Sequence, residues 1–65
     1  MTKVEKIKEF ISTLNNLDRC IDETISVGNK YEFLSYYGTK NLYEFKSLVE
    51  KTIEHTSKEL EKENE

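Results

Sequence analysis

A single cysteine, Cys20, is all the sequence offers for covalent cross-linking, so an internal disulfide is excluded. One histidine, His55, with that cysteine falls short of the four ligands of a structural zinc site. It also falls short of the two histidines of a zincin-type helix. The glycines, Gly28 and Gly38, are too far apart for a GxGxxG turn, and no P-loop pattern occurs. No apolar run exceeds two residues, which leaves neither a membrane-spanning segment nor a signal-peptide core. Basic charge is scarce as well: ten lysines and arginines face thirteen acids, for a net charge of −3. A binder of phosphate backbones needs a basic stripe, which this balance disfavours. Proline, tryptophan and alanine are missing altogether. A single arginine among the lysines, with many Asn, Ile and Tyr, suggests the A/T-rich coding of some bacteria and phages. These absences lead us to expect a cytoplasmic protein in a reducing compartment, with no cofactor and no metal.

Catalysis finds no foothold in what remains. Nucleophilic chemistry at Cys20 requires a histidine to orient it, and helical spacing puts Cys20 opposite the apolar stripe of its segment. His55 reads as a residue at the boundary of its own stripe. Asp18 with Asp22, and Glu50 with Glu54, stand one helical turn apart but lack a cleft and read as solvated surface. The expectation is that the protein is not an enzyme.

What is present is helical periodicity and a concentration of rings. At about 100° per residue, Val4, Ile7, Phe10, Ile11, Leu14, Leu17, Ile21 and Ile25 share a stripe about 140° wide. Thr2 followed by Glu5 has capping-box spacing, and Gly28 stands where a left-handed residue would end the helix. Asn15-Asn16 is a weak pair for a helix interior, and a kink or break there is left open. Asp18 falls inside the apolar stripe. Either it sits where the stripe opens to solvent, or it is buried against a cation from this chain or a partner.

A second stripe joins Leu42, Phe45, Leu48, Val49, Ile53 and Leu60, and includes Thr52 and Thr56. These threonines are small enough for close helix approach, and their hydroxyls can bond back to carbonyls one turn earlier. Thr39 or Asn41 is the expected cap of this helix, and the tail at 61–65 is expected to fray. Between the stripes, Asn29 and Glu32 repeat the capping-box spacing and Gly38 supplies a stop, which predicts a two-turn helix over 30–37. A β-hairpin over 30–49 is the competing local reading, weakened by broken alternation at Tyr36-Tyr37 and Leu42-Tyr43.

The fold expected is therefore a single all-α domain over 1–65. It is an antiparallel helical hairpin of two long helices (about 3–26 and 40–61) joined by a short helix (30–37). Chains this short bury only about 60% of their unfolded surface, and one core gives them roughly 3–5 kcal/mol. Two wide stripes exceed what one helix–helix seam uses, which predicts a homodimer resembling a four-helix bundle or a groove for a partner.

Six of the seven aromatic residues lie between Tyr31 and Phe45. Tyr31, Phe33, Tyr36, Tyr37 and Tyr43 serve as the protein's own core, as a self-association surface, or as a surface for another protein. A two-turn segment cannot bury Tyr31, Phe33, Tyr36 and Tyr37 together, so at least one should lie at the surface or an interface. The leading functional expectation is a small acidic protein-binding module: an inhibitor, neutraliser or adaptor, phage- or mobile-element-encoded. A nucleic-acid regulator using Lys3, Lys6, Lys8 and Arg19 is the alternative, though Glu5 and Glu9 interrupt that grouping. A purely structural homo-oligomer is the third.

Overall fold

The structure is a computed structural model that describes residues 1–64. Two helices account for nearly all of it: α1 (Lys3–Lys30) and α2 (Tyr36–Asn64). They pack against one another as a hairpin, so the chain is all-α, and no strand occurs among the described residues. The β-hairpin over 30–49 is thereby set aside.

The Thr2 hydroxyl accepts a hydrogen bond from the Glu5 amide at 3.1 Å, which starts α1 where the capping-box spacing places it. Asn15-Asn16 does not break the helix. Asn16 instead turns its carbonyl oxygen outward to accept a bond from the Arg19 guanidinium at 3.2 Å. Gly28 is not the stop that its position suggests. The helix runs on to Lys30, and the left-handed residue is Glu32, at φ 61°. The Phe33 amide donates to the Gly28 carbonyl (2.8 Å) and the Glu32 amide to that of Asn29 (3.2 Å). This is the bonding pattern of a Schellman ending with glutamate where glycine is usual.

A left-handed conformation costs a non-glycine residue roughly 1–2 kcal/mol. Glu32→Gly is therefore expected to raise the thermal midpoint, by the equivalent of roughly 1 kcal/mol after glycine's own entropy is counted. Calorimetry of the two proteins checks this.

The separate helix expected over 30–37 does not form. Its first amides are taken up by the ending of α1, and residues 33–35 are irregular before α2 begins at Tyr36. Ser35 opens α2: its hydroxyl accepts from the Gly38 amide and its carbonyl from the Thr39 amide, both at 3.0 Å. The cap is neither Thr39 nor Asn41, and Gly38 lies inside the first turn. Asn29, expected to cap the short helix, accepts the Thr39 hydroxyl across the seam at 3.3 Å. α2 also extends beyond Glu61, where fraying was expected to begin. Glu63 meets Lys3 at 2.9 Å, which ties the end of α2 to the start of α1. Residue 65 lies outside the described residues.

Leu14, Ile21, Ile25 and Val49 form the core, with Leu42 and Ile53 packed against them. Thr56 is also buried, and its hydroxyl donates to the Thr52 carbonyl at 2.7 Å. The Thr52 hydroxyl does the same to Leu48 at 3.0 Å. Thr56 is thus the small residue on the buried side, Thr52 lies exposed, and both hydroxyls satisfy themselves on their own helix. At the closed end the small residues are Gly28 and Gly38, with Leu34 between them. A Cβ on Gly28 would stand 2.6 Å from Leu34 Cγ, and one on Gly38 3.4 Å from Leu34 Cδ2.

The molecule measures 47 × 17 × 11 Å, one helix diameter thick. A single layer has only one seam in which to hide apolar surface, whereas domains are normally built of two layers. Phe10, Leu17, Phe45 and Leu48, which the stripes place inward, accordingly remain exposed.

Candidate functional site

Lys46 occupies one side of the seam and holds both helices. Its ammonium lies 3.1 Å from each Asp18 carboxylate oxygen, 3.1 Å from Asp22 Oδ2 and 3.0 Å from Glu50 Oε1. Asp18 is half-buried, so its place inside the apolar stripe is explained by a cation from its own chain. The hydrogen bonds that the Lys46 ammonium donates to Glu50, then Asp22 and Asp18, hold it well above the ordinary lysine value of 10.5.

Folding thus favours the protonated form. The stabilisation is complete below pH 10.5 and is lost as pH rises toward the folded-state value. The thermal midpoint is expected to fall in strong alkali, and Lys46→Met to flatten that fall while lowering the midpoint at neutral pH. A pH series of melting curves on both proteins measures it.

Contacts that cross the seam fix which flanks of the helices share a face. At about 100° per residue, Asp22 and Lys46 lie about 40–70° to one side of their helices' buried rows. Leu17 and Phe45 lie about 60–70° to the other side. Lys46 joins the first pair of flanks, and the Lys3–Glu63 pair joins the second at the open end. The hairpin therefore has two unlike faces. One is laced with ion pairs. The other carries Phe10 and Leu17 from α1 and Phe45 and Leu48 from α2.

That second face is free of charge along most of its length. From Phe10 to Gly28 its α1 flank presents Phe10, Leu17 and Thr24, with the buried Leu14 and Ile21 and half-buried Gly28 bordering them. From Tyr37 to His55 its α2 flank presents Tyr37, Asn41, Phe45, Leu48, Thr52 and His55. Sequence reasoning expected surplus apolar surface but not its place, because only the pairing of the helices shows which edge of each stripe is left over.

At the closed end of the hairpin, all five rings singled out from the sequence are exposed. Phe33 is 86% exposed, Tyr36 76%, Tyr37 73%, Tyr31 58% and Tyr43 54%, so none of them serves as core. Tyr36 and Tyr37 meet edge to face at 5.6 Å, and the Lys30 ammonium lies 5.2 Å from the Tyr31 ring. Tyr36 and Tyr43, with Thr39, Lys40, Glu44 and Ser47, line a shallow open trough of about 510 Å³ on the outer side of α2. Cys20 is free and exposed. In the basic grouping of α1, Lys3 is engaged by Glu63 and Arg19 by Asn16. No helix among the described residues is long and apolar enough to cross a membrane.

The architecture defines the class, an all-α helical hairpin. No family model, no curated protein and no solved structure matches the chain.

Proposed function

We propose that the chain is a small, non-enzymatic protein-binding module that acts by direct contact, as an inhibitor, neutraliser or adaptor in the cytoplasm. One observation carries this reading. The single-layer hairpin leaves apolar side chains in water both along one face and at the closed end, more than single scattered residues would account for. Tyrosine and phenylalanine are the residue types that binding energy concentrates on, because they bury much area with few rotors. Self-association belongs to the same reading, as a homodimer resembling a four-helix bundle. The coding bias noted above suits a phage or mobile element.

The test is affinity capture from the cells that make the protein, run in parallel with a Phe33→Ser/Tyr36→Ser variant. These side chains are exposed, so the hairpin itself should fold unchanged. A stoichiometric partner held by the natural chain and released by the variant is the expected result. Identical captures, or none, would contradict a role for the aromatic end.

A further inference from the structure

We infer that the charge-free face bearing Phe10, Leu17, Phe45 and Leu48 is covered by a second copy of this chain, leaving the aromatic end free. The inference rests on the binding reading above and assigns one of its surfaces to one occupant. Three observations support it. The first is area. A compact monomer of 7.7 kDa exposes about 4,300 Å² by the scaling of surface with mass. This hairpin exposes 5150 Å². The surplus, roughly 800 Å², is what each partner of a standard interface buries.

The second is charge. The opposite face holds Lys46 among three carboxylates, whereas this one presents no charge between Phe10 and Gly28 or between Tyr37 and His55, its one cross-helix ion pair, Lys3–Glu63, lying at the open end. Two copies related by a two-fold axis bring the same patch against itself, so the uncharged stretch bearing Phe10, Leu17, Phe45 and Leu48 meets no like-charge repulsion. The third is architecture. Stacking two one-layer hairpins gives the two-layer arrangement that encloses a core, and makes Leu14, Ile21 and Thr52 its floor. The rings at Phe33, Tyr36 and Tyr43 lie at the end and on the outer side of α2, outside that seam.

The experiment is the mass in solution by sedimentation equilibrium, for the natural chain and two double variants. Leu17→Glu/Leu48→Glu alters the proposed seam at side chains already exposed in the hairpin. Tyr36→Glu/Tyr43→Glu alters the outer side of α2. The natural chain and the tyrosine variant are expected at twice 7.7 kDa, and the leucine variant at 7.7 kDa. Its self-affinity should fall by about a hundredfold or more, since charge would enter a desolvated seam.

A dimer lost with the tyrosine variant but kept with the leucine one overturns the assignment of the face and leaves self-association standing. A natural chain that stays folded at 7.7 kDa at every concentration overturns the second copy, while binding to another protein is judged by the capture experiment. Should the leucine variant unfold, alkylation of Leu48→Cys in a Cys20→Ser background decides the matter. Slow reaction in concentrated protein that quickens on dilution supports the seam, and equal rates overturn it.

Discussion

Replacing Ile25 with alanine is expected to abolish the cooperative fold at room temperature. Ile25 is 4% exposed, the least of the core residues, and sits where α1 meets the start of α2. Emptying such a site costs about 2–5 kcal/mol, the transfer of the lost carbons plus the cavity that remains. A single core in a chain of this size supplies roughly 3–5 kcal/mol, so little or nothing is left. Circular dichroism should show a large loss of helix and a broad, non-cooperative melt. Phe33→Ala is the matching control: it removes more carbon, but from a ring in water, and should move stability by no more than about 0.5 kcal/mol. Equal losses from the two would mean that the closed-end rings carry the fold after all.

Gly28→Ala is the second change expected to have a large effect, and its sign runs against helix propensity. Alanine in a helix interior is ordinarily favoured over glycine by about 1 kcal/mol. Here its methyl would stand 2.6 Å from Leu34 Cδ1 and Cγ. The atoms involved include the branch point of the leucine, so relief requires Leu34 itself to move, and with it the 33–35 segment that joins the helices. Overpacking of this kind costs about 1–3 kcal/mol, enough to outweigh the propensity gain. Leu34→Ala alone should destabilise as well. In the double variant the two losses should add to less than their sum, because the clash is gone. Chemical denaturation of the three variants gives the coupling; strictly additive losses would show that Leu34 is not what Gly28 accommodates.

Much of the fold was legible in the residues. The two helices follow from apolar spacing, the start of α1 from Thr2 and Glu5, and the back-bonding of the Thr52 and Thr56 hydroxyls from their place in the helix, though only Thr56 is buried. The connection was misread for one physical reason. Gly28 and Gly38 suggested helix ends because glycine tolerates left-handed backbone, but here Gly28 serves close packing against Leu34, Gly38 lies inside the first turn of α2, and a glutamate takes the left-handed position instead. With those stops misplaced, the intervening rings looked like a helix of their own. Ser35, a cap three residues before Gly38, was the signal that would have corrected it.

The candidate surfaces were half legible. Counting rings shows that a short segment cannot hide Tyr31, Phe33, Tyr36 and Tyr37. Locating the charge-free face requires knowing how the two stripes are turned toward each other, and the Lys46–Asp18 pair fixes that only once the helices are packed. Asp18 therefore carried more information than its single place in the stripe suggested. It marks the polar side of the seam, and by elimination the apolar one.

With a second copy over its apolar face, as proposed above, the one-layer hairpin reaches its full stability only in the dimer. The most direct measurement is the thermal midpoint of the natural chain between about 2 and about 500 µM, because a dimer's stability depends on protomer concentration by mass action. A midpoint that climbs steadily over that range, with one cooperative transition throughout, is the predicted result. A midpoint that does not move with concentration, for a chain that stays fully helical when most dilute, would contradict it.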